Sequence, residues 1–202
     1  MADLRLATIR DILAGYEHER VEREKVSRRA AVATILRGRG DDAEVLLIRR
    51  AERPNDPWSG QMAFPGGHVE PGERMLEAAM RETREEIGLD LGSYGDLIGR
   101  LDQAHAVARG RRLDLLIAPY VFELQAEPER YTPNYEVAEV VWAPLRPMLL
   151  GDAHTFMEYE LDGEKRRFPG YDVDGRVVWG LTYRMLGNLF ALLHPEWEPI
   201  DY

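Results

Sequence analysis

Residues 67–89 read GHVEPGERMLEAAMRETREEIGL, and the reading of the fold turns on them. From Arg74 to Ile87 the stretch predicts a helix. Leu76, Met80, Thr83 and Ile87 fall on one stripe at three- and four-residue intervals, and Gly88 supplies a natural stop. On that helix Glu82, Glu85 and Glu86 stand at i, i+3 and i+4, so three carboxylates project from neighbouring positions. Like charges at this spacing destabilise a helix by about a few tenths of a kcal/mol per pair unless cations neutralise them. Hard, oxygen-seeking divalent cations do so. Taken alone, an acidic face with Arg81 and Arg84 interspersed reads first as a solvated surface held by ion pairs. The residues in front shift the balance. Phe64, Pro65, Gly66 and Gly67 form a loop whose backbone can approach a ligand closely and whose carbonyls are available to a metal.

Outward from this stretch, strands and helices alternate without repeated units. Upstream, Leu4, Leu6, Ile9, Ile12, Leu13 and Tyr16 recur at helical spacing and predict an amphipathic helix within residues 1–25 that packs on the main body. Residues 30–36 and 44–49 are β-prone runs separated by a Gly- and Asp-rich turn, which reads as a hairpin. Residues 54–72 are rich in Pro and Gly and read as shaped loop, with one short strand at 61–64. Downstream, strands are expected at 97–107, 113–124, 137–142 and 155–161, a short helix at 145–150 behind Pro144, and a final amphipathic helix at 179–193. No linker divides the chain, so one α+β domain over residues 1–202 is the economical expectation.

Apolar residues make up 45% and charged residues 31% of the chain, the balance of an ordinary globular protein rather than a disordered or fibrous one. The formal net charge of −10 argues against a charge-driven nucleic-acid binder. An anionic ligand would need local compensation by metal ions or clustered arginines. The absence of cysteine excludes disulfides, thiolate metal sites and a Cys nucleophile. Residues 1–25 lack the continuous apolar run of a signal peptide or membrane helix, so no membrane association is expected and the cytoplasm is the default compartment.

From Gly67, five residues lead to Glu73, seven more to Arg81 and Glu82, and then come Thr83, Arg84, Glu85, Glu86, Ile87, Gly88 and Leu89. This resembles the Nudix box, with Thr83 the one departure, standing where the family pattern has an aliphatic residue. Thr83 keeps a β-branched shape but adds a hydroxyl, which weakens core packing slightly without removing a ligand. The resemblance implies a Nudix-type α/β/α sandwich with a mixed β-sheet and the box as loop, helix and loop. It implies Mg²⁺ or Mn²⁺ on Glu82 and Glu86, with Glu85 as a further ligand or water-orienting group and Gly67, or Gly66 beside it, offering a carbonyl. Arg81 and Glu73 would brace the helix. The implied reaction is attack of activated water on a diphosphate, with Glu85 or Glu136 as base. For Glu136 an exposed loop carboxylate is the competing reading.

Two flanking stretches are similar to the coenzyme A diphosphatase subfamily of the same family. Residues 56–67, DPWSGQMAFPGG, match the end of its motif, whereas Ile48 and Ala51 stand where Thr and Ser are expected and Arg53 is displaced from the motif's arginine. Residues 168–171, FPGY, leading into 179–182, WGLT, are similar to that subfamily's tail. Arg49, Arg50 and Arg53 are therefore candidates to contact phosphates, and Trp58, Phe168 or Tyr171 to stack an adenine. Surface charge and packing are the alternative readings for each one alone. His68 adjoins the Gly-Gly loop, and His105 precedes a basic turn at Arg109, Arg111 and Arg112 that reads as solvated. The expected partner is a small-molecule nucleotide diphosphate: coenzyme A or its thioesters, alternatively ADP-ribose, a nucleotide sugar or another nucleoside diphosphate derivative. A noncatalytic ligand sensor is the third reading. The N-terminal helix or an exposed strand would allow a homodimer.

Overall fold

The computed structural model describes residues 3–19, 26–54, 56, 58–108, 111–161 and 163–199. The chain enters through helix α1 (Leu6–Ala14), inside the segment expected to be helical, and continues into strands β1 (Arg28–Arg39) and β2 (Asp42–Arg50). These two form the expected hairpin, reversed at Gly40 and Asp41, where Gly40 has φ 63°. Two short strands follow, β3 (Met62–Ala63) and β4 (Gly66–His68), then helix α2 (Met75–Ile87) and the single turn α3 (Leu91–Tyr94). Strand β4 runs through the Gly-Gly pair that was read as loop. Glycine has no β-propensity of its own, and this pairing is imposed by β1, whose residues Ala30 to Val32 face His68 to Gly66.

The segment expected as one strand over residues 97–107 is two, β5 (Gly95–Arg100) and β6 (Ala104–Ala108). Both pair antiparallel with the following β7 (Arg111–Leu124), β5 with its last residues and β6 with its first. The break falls beside Pro119, which has no N–H for the ladder, and Leu101 N donates to the Pro119 carbonyl at 3.1 Å where the path bends. After β7 come β8 (Val137–Pro144), helix α4 (Leu145–Leu150), β9 (His154–Leu161), β10 (Glu164–Val173), β11 (Arg176–Trp179) and helix α5 (Gly180–Leu193).

The larger sheet is mixed. β1 runs parallel to β7 and antiparallel to β2 and β4, while β8 and β3 pair antiparallel with β2. β9, β10 and β11 make a second, antiparallel sheet. Because strand side chains alternate faces, β1 feeds two cores: Ala30 and Leu36 enter one, Ala31, Ala33 and Ile35 the other. Both faces are covered, and that is why β1 reads as a nearly continuous apolar run. Ala78, Ala79 and Ile87 of α2 close one core. Ile9 and Leu13 of α1, Met148 of α4, and Leu186, Leu189 and Phe190 of α5 close the other, together with Tyr171, Val173 and Val178 of the smaller sheet. The result is the expected α+β sandwich, helix on sheet on helix.

The inward face of α2 differs from the expected stripe. Its buried residues are Ala78, Ala79, Thr83, Glu86 and Ile87, while Leu76 and Met80 are only half-buried against the same core. Paired alanines let the helix lie close to the sheet, which rotates Glu86 inward. Thr83 is fully buried, and its hydroxyl donates to the Ala79 carbonyl at 2.7 Å, so the departure from an aliphatic residue leaves no unsatisfied group. Among the described residues no helix is long and apolar enough to cross a membrane.

Candidate active site

Four pieces of chain converge at one end of the larger sheet: β4, the inner side of α2, the segment following β7, and the loop between β2 and β3. Together with parts of β1, β7 and α5 they line a cavity of about 310 Å³. Glu82, Glu86 and Glu136 supply its acidic lining, Arg50 its positive charge, and Val32, Leu115, Ile117, Leu181 and Met185 an apolar lining.

Glu86 is only 2% exposed, and its Oε2 accepts a hydrogen bond from Gly66 N at 2.9 Å. Burial pushes its carboxyl up to about pH 8, a shift that the Gly66 N–H and the charge of Arg50 oppose and that Glu82 and Glu136 reinforce. Burial likewise raises Glu82, with Glu85 and Glu136 adding to the rise and Arg81 opposing it. Glu82 lies flat against Gly67: a Cβ built at Gly67 would sit 2.4 Å from the Glu82 carboxyl carbon. Only a residue without a side chain permits that approach.

Arg81 organises the box. Its Nε and Nη2 bond both oxygens of Glu73 at 2.8 and 3.1 Å, Nη1 reaches Glu82 at 2.9 Å and Glu85 at 3.2 Å, and Nη2 also donates to the His68 carbonyl at 3.0 Å. One guanidinium thus ties loop, strand β4 and helix α2 together, and it holds the Glu73 carboxyl below the usual carboxylate range. Glu85 is 52% exposed at its side chain and lies outside the cavity lining, so Glu82 and Glu86 are the two box carboxylates that face the cavity. Among the described residues no three His, Asp or Glu side chains close into a metal cage. The donor set nevertheless suits a hard divalent cation: the charge of Glu136 raises the proton affinity of both Glu82 and Glu86, Glu82 adds to the rise at Glu86, and Arg50 is a cation whose charge reaches Glu86.

The loop that brings Glu136 to the cavity is fastened to the end of α2. Thr132 N donates to the Ile87 carbonyl at 2.9 Å and Asn134 N to the Glu86 carbonyl at 2.8 Å, satisfying two carbonyls that the helix leaves without partners. Gly88, the C-cap with φ 72°, has no Cβ to strike Thr132 Oγ1, which would lie at 1.9 Å. Glu136 itself is tied through its carbonyl to Ala51 N at 2.7 Å and through its N–H to Asn134 Oδ1 at 2.7 Å.

Of the residues expected to meet substrate, Arg50 and Trp58 line the cavity. Arg50 is held by Asp56 at 2.8 Å, and Asp56 also accepts from Trp58 N at 2.9 Å. Arg53 reaches the cavity through Glu136, whose Oε1 it bonds at 2.8 Å. Arg49 points away, into a cluster with Glu139 and Arg176. Phe168 sits on the smaller sheet against Trp179, ring centres 5.5 Å apart, and Tyr171 is buried in the core beside Tyr183. His68 lines the cavity, whereas His105 pairs with Arg112 in a separate groove; Arg109 lies outside the described residues. Sequence reasoning missed the apolar lining, since Val32, Leu115 and Ile117 are ordinary strand residues until the β1 and β7 register sets them on one face of neighbouring strands. It also missed Asp56 as the support of Arg50, and Thr182, whose hydroxyl donates to the Met62 carbonyl at 3.1 Å and so links α5 to strand β3.

A family model described as the NUDIX domain matches residues 26–161. An uncharacterized protein of Schizosaccharomyces pombe is 32% identical over 160 residues, covering 77% of this chain and 47% of that protein. The chain therefore spans about half the length of this relative. An uncharacterized Nudix hydrolase, NudL, of Photorhabdus laumondii is 26% identical over 145 residues, covering 71% of this chain and 74% of that protein. A crystal structure of a MutT/nudix family protein from Enterococcus faecalis shares the fold, with TM-score 0.50 and 18% identity over 92% of this chain and 66% of that one. The chain belongs to the Nudix family, whose hydrolases use divalent metal ions.

Proposed function

We propose that the protein is a Mg²⁺- or Mn²⁺-dependent hydrolase of nucleotide-linked diphosphates, with coenzyme A and its thioesters as the leading substrates. The observation that carries this reading is the cavity's division between the carboxylates of Glu82, Glu86 and Glu136 and the apolar side chains of Val32, Leu115, Ile117, Leu181 and Met185. Glu82 and Glu86 would hold the metal, which supplies charge neutralisation for the diphosphate and lowers the pKa of a water molecule. Arg50, fixed by Asp56, faces the diphosphate oxygens. Glu136 takes the proton of the attacking water on Oε2, its Oε1 being held by Arg53. Water adds to one phosphorus and the phosphoanhydride oxygen leaves, without a covalent enzyme intermediate.

The apolar lining favours coenzyme A over ADP-ribose or a nucleotide sugar. A pantetheine arm or acyl chain gains by covering Leu115, Ile117 and Met185, whereas sugar hydroxyls there would lose hydrogen bonds to water without replacement. The products are then 4′-phosphopantetheine, or its acylated form, and adenosine 3′,5′-bisphosphate. Initial rates in Mg²⁺ and in Mn²⁺ on coenzyme A, acetyl-coenzyme A, ADP-ribose, nucleotide sugars and nucleoside triphosphates test the reading. Coenzyme A or its thioester should show the highest kcat/KM. A preference for ADP-ribose would keep the hydrolase and replace the substrate. Tight nucleotide binding with no turnover would make the chain a ligand sensor.

A further inference from the structure

Tyr135 is the most exposed large hydrophobic residue described, at 80%, against 49% for Leu150, the next. It is held in place all the same. The bonds from Thr132 and Asn134 to the end of α2, and from Ala51 to the Glu136 carbonyl, fix the backbone on both sides of it. The Arg53 guanidinium lies over the Tyr135 ring with its carbon 4.6 Å from the centroid, and Nη2 donates to the Tyr135 carbonyl at 3.4 Å. The same guanidinium bonds Glu136, which lines the cavity, so the ring stands one residue outside the site's acidic lining. An aromatic ring left in water on a fastened loop, with a planar cation on it, is a ready-made layer for another flat π-system. Stacking there costs little ordering, because ring and guanidinium are already in place.

We propose that Tyr135, backed by Arg53, is the platform on which the nucleobase of the substrate stacks, so that it sets the preference for nucleotide over other diphosphates. The inference rests on the diphosphate-hydrolase reading, for it is the diphosphate over Glu82 and Glu86 that brings an attached nucleoside to the cavity rim. A nucleobase suits this layer because every base has a π-face, and such stacking tolerates base identity. The platform therefore selects for a base without specifying which one.

Calorimetric binding of ADP and of inorganic pyrophosphate in Mg²⁺, for wild type, Tyr135→Ala and Tyr135→Phe, tests it. Stacking predicts that Tyr135→Ala weakens ADP roughly tenfold or more. Pyrophosphate affinity should stay unchanged, and Tyr135→Phe, which keeps the ring, should bind ADP much as wild type does. Unaltered ADP affinity in Tyr135→Ala would overturn the proposal. So would an equal loss for ADP and pyrophosphate, a Phe variant as weak as the Ala variant, or a wild type that binds no ADP. Turnover of wild type on a nucleotide diphosphate, measured alongside, is a separate readout. If it is absent while the stacking pattern holds, the hydrolase reading falls and the platform stands.

Discussion

Glu86 shows how one residue's position sets its chemistry. The neutral carboxyl sits easily in its buried place under β4, but the carboxylate does not unless a cation joins it. The folded group holds its proton up to about pH 8, whereas in the unfolded chain a glutamate releases it near pH 4.3. Its contribution to stability is therefore complete below the lower value and is lost as pH rises through the upper one. In chelator, the thermal midpoint of the protein should fall between pH 6 and pH 8.5. Glu86→Gln, which keeps the shape and stays neutral, should fall less, and Mn²⁺ should rescue the wild type most at the alkaline end, since binding displaces the proton. A midpoint that is flat over this range, or an identical fall in the variant, would show that Glu86 is not the group responsible. At Gly67 the constraint is steric. Gly67→Ala must displace the flexible end of Glu82 rather than backbone. It should lower kcat by about a hundredfold, the scale of a roughly 1 Å misplacement, with little change in thermal midpoint. Full activity in that variant would mean that the carboxylate's rest against the glycine is incidental.

At the scale of elements, α2 does more than present carboxylates: its final carbonyls anchor the loop that carries Tyr135 and Glu136. Gly88→Ala places a non-glycine residue at φ 72° and drives its Cβ into Thr132. The conformation alone costs about 1–2 kcal/mol. The urea midpoint should drop accordingly, and kcat should fall further than stability accounts for, because the loop must move. A variant that loses stability yet keeps wild-type kcat at low temperature would separate the loop from the chemistry. The helix, its glycine stop and most strands were legible because hydrophobic periodicity and turn residues are local signals. Strand β4, the β5 and β6 split, and the docking of residues 132–136 were not, since each is decided by a distant partner: β1, Pro119 and the end of α2. The burial of Glu86 was not legible for a related reason. An acidic residue on a helix reads as exposed until neighbouring alanines are seen to draw the helix against the sheet.

Across the whole molecule, a mixed sheet with a core on each face sets α2 on one side and α5 on the other, and the cavity opens where both reach the ends of β1 and β7. Of the residues singled out in sequence, Glu82, Glu86, Gly67, Arg50, Trp58 and Glu136 meet at that cavity. Arg49 and Phe168 lie elsewhere, since residue type marks a phosphate or base contact without telling which face of a strand it takes. Thr182 joins α5 to strand β3, ahead of the box. The central claim is that this cavity is a metal-dependent hydrolytic site centred on Glu86. Its most direct test is the rate of diphosphate hydrolysis on coenzyme A and ADP-ribose by wild type and Glu86→Gln, with Mg²⁺ or Mn²⁺ and after chelation. The account predicts turnover that needs the metal and falls by several orders of magnitude in a variant that still melts cooperatively. Near-wild-type turnover in Glu86→Gln, or hydrolysis that survives chelation, would contradict it.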